Sequence, residues 1–114
     1  MSATKSAHSQ LGIAIQGAGT VSSGHLRAYL RNPNCRVVAI GSRTKAGAEA
    51  KAREVGIDPS TIALYDNVDA LVADPNVDAL SICTPHSRHS ADAISAANAG
   101  KHFIVEKPIA MTPA

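Results

Sequence analysis

Four short segments of the chain concentrate residue types that could do chemistry. The first is Gly17-Ala18-Gly19-Thr20-Val21-Ser22, which follows the apolar run Leu11 to Gln16. Gly17 permits a tight turn at the end of that run. Gly19 lets the backbone approach a pyrophosphate with no Cβ in the way. Thr20 and Val21 then open the next helix, whose free N–H groups and positive dipole end face the same point. A Gly-x-Gly pair alone is often only a turn. Here strand, turn, helix and second strand are in register, which is the context a dinucleotide fingerprint requires. The third glycine of that fingerprint is replaced by Ser22, a residue small enough for helix-on-strand packing.

The second apolar run is followed by Ser42, Arg43, Thr44 and Lys45, with no carboxylate between Arg36 and Glu49. An NAD site commonly offers Asp or Glu to the adenosine ribose at this point. A hydroxyl and a guanidinium suit a 2′-phosphate instead, because Arg can make a bidentate charged contact. Ser42 and Arg43 therefore predict NADP as the preferred cofactor, with NAD as the other possibility. The plainer reading is that Arg43 and Lys45 are solvated loop charges.

The segment Thr84-Pro85-His86-Ser87-Arg88-His89 follows a further apolar run, and Glu106-Lys107-Pro108 follows the last one. Pro85 fixes the backbone as the chain leaves the strand. His86 is placed near the nicotinamide, and His89 as a brace for the loop; otherwise both are polar residues at a helix start. Cys83, His86 and His89 are metal-ligand types spaced by threes, but no fourth ligand stands nearby and no metal is expected. Lys107 at the mouth of a cofactor crevice could hold a substrate oxygen and stabilise charge as hydride moves. The alternative is a surface ion pair with Glu106. His25 reads as an ordinary helix residue.

These residues need a scaffold, and the sequence supplies an alternating one. Strands are expected at Leu11 to Gln16, Arg36 to Ile40, Ile62 to Tyr65, Ala79 to Cys83 and His102 to Val105. Helices are expected from about Thr20 to Arg31, with Leu26, Tyr29 and Leu30 on one stripe, and from Lys45 to Val55, closed by Gly56. A short one holds Val68, Leu71 and Val72 after a cap at Asp66 or Asn67, and an alanine-rich one runs from about Ser87 to Ala99. Gly100 closes that last helix, with Lys101 beside it to complement the dipole. Strands apolar throughout and alternating with helices imply a doubly wound α/β domain, a parallel sheet covered on both faces. Its ligands bind beyond the carboxyl ends of the strands, where strand order reverses.

With 114 residues the chain has room for one domain, since domains commonly run ~100–150 residues. The stretch 1–10 reads as a flexible leader and 11–114 as the folded domain. Apolar residues at 45% and charged residues at 18% exclude a disordered or fibrous chain. A net charge of +2, scattered basic residues and no Trp argue against nucleic-acid binding. No apolar run reaches the ~20 residues that span a bilayer, so no membrane partner is expected. Cys35 and Cys83 make no disulfide framework; both read as small buried hydrophobes in strands of a cytoplasmic protein.

The set Gly17-x-Gly19-x-x-Ser22-x-x-His25, Thr84-Pro85-x-x-x-His89, Gly100-Lys101-His102 and Glu106-Lys107-Pro108 resembles the N-terminal domain of the Gfo/Idh/MocA oxidoreductases. The resemblance covers residues 11–114. It implies a Rossmann domain of an NAD(P)-dependent enzyme that acts on the CH–OH group of a sugar, polyol or dihydrodiol-like substrate. It makes Lys107 the catalytic lysine, sets Glu106 near the nicotinamide, and lines the cofactor cleft with Thr84, Pro85 and His86. It also implies a last strand, a second α/β substrate domain and a homo-oligomer interface. None of these is in this chain, which therefore reads as an incomplete domain of about five strands, inactive alone. The strand at His102 to Val105 would then lie at an open edge with Phe103 and Val105 poorly covered, prone to self-association. A non-catalytic NADP-binding or regulatory module, or an inactive fragment, is the alternative.

Overall fold

The computed structural model describes residues 10–84 and 86–105, apart from the side chains of Thr20 and His86. In chain order the elements are β1 (Leu11–Gln16), α1 (Thr20–Arg31), β2 (Cys35–Gly41), α2 (Lys45–Glu54), β3 (Ala63–Tyr65), α3 (Val68–Val72), β4 (Ala79–Ile82), α4 (His89–Asn98) and β5 (His102–Val105). Single 3-10 turns lie at Pro59–Thr61 and His86–Arg88. The strands form one five-stranded sheet in the order β3-β2-β1-β4-β5, and every pairing is parallel.

Successive residues of a strand point to opposite faces, and here both faces are covered. Ile15 and Ile40 pack with Leu26 of α1 and with Ala48 and Ala52 of α2. Their neighbours Ala14 and Ala39 pack on the other face with Leu71 of α3 and Ala96 of α4. This is why the strands read as unbroken apolar runs. Each fully buried Ile or Leu contributes about 1.5–3 kcal/mol relative to its exposed state.

The β1–β2 register shifts by one residue between Ile13 and Ala14, so that Gly41 stands beside Gln16. That alignment is required by shape. A Cβ on Gly41 would collide with Gln16 Oε1.

Several expectations are corrected in detail. The alanine-rich helix begins as a 3-10 turn at His86–Arg88, and its α-helical part spans only His89–Asn98. The first strand residue expected after the third loop, Ile62, instead closes the turn that Asp58 caps through Ser60 N. Leu30 leaves the α1 stripe and is 46% exposed, while Leu26 is fully buried. Cys35 and Cys83 are half-buried, because Cys35 opens β2 and Cys83 lies one residue past β4, where the sheet gives way to a cleft. Lys101 closes α4 with its backbone N–H, which donates to Ala96 O at 2.9 Å, but its side chain does not serve the helix end. Its Nζ donates to the carbonyls of Val77 and Asp74, at 2.6 and 3.1 Å, and ties β5 to the loop before β4.

Among the described residues β5 is an edge strand, with Phe103 and Ile104 exposed. Val105, expected to be poorly covered, is half-buried and packs on the α3–α4 core. No helix among the described residues is long and apolar enough to cross a membrane.

Candidate functional site

Strand order reverses between β1 and its two neighbours, β2 and β4. The carboxyl ends of these strands open into a cleft of about 1420 Å³. The cleft collects the loops that follow successive strands. Gly17, Gly19 and Val21 come from the first, Ser42 and Arg43 from the second, and Thr84 and Arg88 from the fourth. On the β3 side, next to the loop after β2, the cleft is also lined by Asp66 and Asp69 at the start of α3.

The two glycines are required for different reasons. Gly17 has φ +110°, and a Cβ there would lie 2.7 Å from the Cys83 carbonyl carbon and oxygen. It is therefore needed by the fold itself. Gly19 is extended and exposed, and a Cβ on it would meet no atom of the described residues beyond its chain neighbours within 4 Å. No contact among the described residues demands a glycine there, whereas a ligand lying on the turn would.

Gly19 is also the N-cap of α1 and offers no side-chain acceptor. α2 and α3 differ: Thr44 Oγ1 accepts from Gly47 N at α2, and Asn67 Oδ1 from Ala70 N at α3, whereas α4, like α1, has no side-chain cap. The first N–H groups of α1 are left without a capping side chain at the cleft, as an anion site needs. Ser22 is fully buried, and its hydroxyl donates to Gly19 O at 2.6 Å, so the residue in the third-glycine position closes the turn.

The cations of the cleft differ in how they are engaged. Lys51 of α2 is buried; its Nζ donates to Ser23 Oγ of α1 at 2.6 Å and to Glu54 at 3.0 Å. Ser23 in turn donates to Glu54 at 2.6 Å. The hydrogen bond from Ser23, and then that from Lys51, hold the Glu54 carboxyl below its usual value. This triad fastens α1 to α2. Arg88 pairs with Asp92 at 3.5 Å. Arg43 is exposed at the cleft and pairs with none of the described residues.

The structure sorts the residues picked out from the sequence as follows. Gly17, Gly19, Val21, Ser42, Arg43 and Thr84 come together in the cleft. Thr20 begins α1. His86 lies in the 3-10 turn that follows. His89 is 1% exposed and does not line the cleft; its Nε2 bonds to Thr84 O at 2.8 Å, so it braces the loop from beneath. Pro85, Glu106, Lys107 and Pro108, and residues 1–9 of the expected 1–10 leader, lie outside the described residues. His25 is more than an ordinary helix residue: its Nδ1 meets Ser81 Oγ at 2.8 Å and links α1 to β4.

Sequence reasoning missed three features. Asp92 is fully buried in α4, and its Oδ2 accepts from Thr84 Oγ1 at 2.7 Å. The i,i+4 spacing from Arg88 was a visible signal for the ion pair but not for the burial. The Ser23–Lys51–Glu54 triad joins two helices and leaves no local trace. Gln16 is 5% exposed, and its Oε1 has no partner among the described residues, an arrangement that costs about 1–3 kcal/mol.

Residues 11–114 match a family model described as an oxidoreductase family with an NAD-binding Rossmann fold. Among similar proteins is scyllo-inositol 2-dehydrogenase (NAD(+)) of Bacillus subtilis, 34% identical over 90% of this chain and 29% of that protein. Inositol 2-dehydrogenase of Rhizobium meliloti is 40% identical over 82% of this chain and 26% of that protein. Among solved structures, myo-inositol dehydrogenase from Lactobacillus casei in complex with NAD(H) and myo-inositol has a TM-score of 0.81 at 25% identity, covering 90% of this chain and 30% of that one. A 3-ketoreductase from Actinomadura kijaniata in complex with TDP-benzene and NADP has a TM-score of 0.77 at 25% identity, covering 89% and 31%. The chain thus spans under a third of the length of these relatives.

Proposed function

This chain belongs to the Gfo/Idh/MocA family of NAD-binding oxidoreductases, and from Ser42 and Arg43 we propose that residues 11–114 bind NADP in preference to NAD. They do so as the nucleotide-binding domain of an enzyme acting at a CH–OH carbon of a sugar or polyol. The observation that carries the reading is the Gly19 turn. Its exposed, clash-free glycine and the uncapped start of α1 lie together at the switch point of the sheet.

The residues present fit a dinucleotide. The amides at the start of α1 receive the linked phosphates, and Gly19 leaves the space they need. Ser42 and Arg43 lie at the end of β2, on the adenosine side. Arg43, unpaired among the described residues, is available to a 2′-phosphate, while Lys51 and Arg88 already have carboxylate partners. The dinucleotide, when bound, takes up or supplies hydride at its nicotinamide. Lys107 holds the substrate oxygen with its ammonium and stabilises the charge that develops there. The relatives are named for activity on scyllo-inositol and inositol, which supports a polyhydroxylated substrate class.

Equilibrium titration with NADP and NAD tests the cofactor preference. NADP binds more tightly, and Arg43→Ala removes about 10- to 100-fold of NADP affinity, the worth of a charged hydrogen bond, while NAD affinity holds. Tighter binding of NAD to the unsubstituted chain contradicts the preference.

A further inference from the structure

For the Thr84 hydroxyl of the β4 loop the structure specifies the direction of the hydrogen. Its Oγ1 lies 2.7 Å from Asp92 Oδ2, and a carboxylate can only accept. The hydroxyl therefore donates inward, and its oxygen is left with acceptor capacity only. Thr84 lines the cleft, whereas Asp92 is fully buried beneath it. The loop is held on its other side as well, because His89 Nε2 bonds to the Thr84 carbonyl. Asp92 Oδ1 has no hydrogen bond among the described residues and faces Arg88 Nη2 at 3.5 Å. A fully buried carboxylate is costly to maintain unless it is well engaged. Here its best-formed hydrogen bond is spent on orienting a cleft hydroxyl.

We propose that Asp92 is a positioning residue. It fixes Thr84 Oγ1 as an acceptor for a hydrogen-bond donor on the nicotinamide half of the bound dinucleotide. The inference rests on the dinucleotide reading above. Thr84 follows β4, across β1 from the Ser42–Arg43 loop after β2. A dinucleotide whose phosphates rest at Gly19 with its adenosine towards β2 extends its other half over β4. That half carries two kinds of donor, the ribose hydroxyls and the carboxamide N–H groups, and either matches an acceptor-only oxygen.

The test is a binding cycle read by titration calorimetry, with melting temperature measured beside it. Thr84→Val and Asp92→Leu each weaken NADP binding about 3- to 10-fold, the effect of one hydrogen bond. Asp92→Leu costs nothing further in the Thr84→Val background. Asp92→Asn, which keeps an acceptor for the hydroxyl, restores most of the affinity. Adenosine 2′,5′-bisphosphate, which lacks the nicotinamide half, binds all the variants as it binds the unsubstituted chain. The deamidated dinucleotide identifies the donor. If it is indifferent to Thr84→Val the partner is the carboxamide, and if it is still weakened the partner is a ribose hydroxyl.

The proposal is overturned if Asp92→Leu leaves NADP affinity unchanged, or lowers it equally in the Thr84→Val background. It is also overturned if the bisphosphate is weakened as much as NADP, since Asp92 would then act only through the fold. If the unsubstituted chain binds no dinucleotide at all, the functional reading fails first and takes this one with it.

Discussion

The Ser22 hydroxyl donates to the carbonyl oxygen of Gly19 at 2.6 Å, across a turn that Ser22 N also closes at 3.1 Å. The residue in the third-glycine position is therefore a clasp as well as a small spacer. Ser22→Ala keeps the backbone bond and loses the hydroxyl one, which costs about 0.5–1.5 kcal/mol in urea unfolding. Ser22→Gly, although it restores the familiar three-glycine pattern, is the more destabilising change, because it adds the backbone entropy of a helical glycine, about 0.5–1 kcal/mol. Equal stability of the three proteins would show that the clasp carries no weight.

Gln16 presents the opposite case, a polar group the fold does not serve. Its Oε1 is buried against Gly41 with no partner among the described residues. Replacing the amide with the similarly shaped Gln16→Met removes an unpaired acceptor. The variant is expected to gain about 1–3 kcal/mol, the cost of such a group. A loss of stability on this substitution would mean that the amide is bonded in solution.

The loop before β4 carries a pH-sensitive bond. Tyr65 OH donates to Asp74 Oδ2 at 2.7 Å, and that bond, with burial and the neighbouring charge, pushes the phenol from 10.0 up to about 12. A raised folded-state value means the bond contributes its full stability below pH 10 and loses it between pH 10 and about 12. Spectrophotometric titration should place the Tyr65 phenolate near that upper value. Tyr65→Phe should be less stable than the parent at neutral pH and should show less further loss across the alkaline window. A Tyr65 that ionises at the ordinary value would contradict the bonded geometry.

Much of the scaffold was legible because local and global signals agree. Ala14-Ile15 and Ala39-Ile40 read as parallel strands because adjacent residues serve opposite faces. Gly56 and Gly100 adopt φ of +86° and +74° just past their helices, as closing glycines do. The cleft loops followed from the rule that ligands gather at the carboxyl ends of parallel strands, and Gly17, Gly19, Ser42, Arg43 and Thr84 are there.

What stayed hidden depends on contacts between distant segments. Asp92 in an alanine-rich helix looks like a solvent-facing residue until Thr84 is seen above it. Lys51 looks like one more charge on α2 until Ser23 of α1 reaches it. Lys101 beside Gly100 suggested the helix dipole, but the nearer carbonyls of Val77 and Asp74 took its ammonium. Leu30 fell off the stripe because only one side of α1 meets the sheet, and helical spacing alone does not say how wide that side is.

The two glycines of the first turn give the most direct test, because one belongs to the fold and the other to the ligand. Gly17→Ala places a Cβ 2.7 Å from Cys83 backbone atoms at a φ of +110°, so it unfolds at markedly lower urea. Gly19→Ala adds a Cβ that clashes with none of the described residues, so it melts like the parent chain. The decisive measurement is calorimetric titration of NADP into the parent and the Gly19→Ala variant. The account predicts saturable binding to the parent and at least about a tenfold loss, ~1.4 kcal/mol, in the equally stable variant. Equal NADP affinity in the two proteins, or no binding to either, would contradict it.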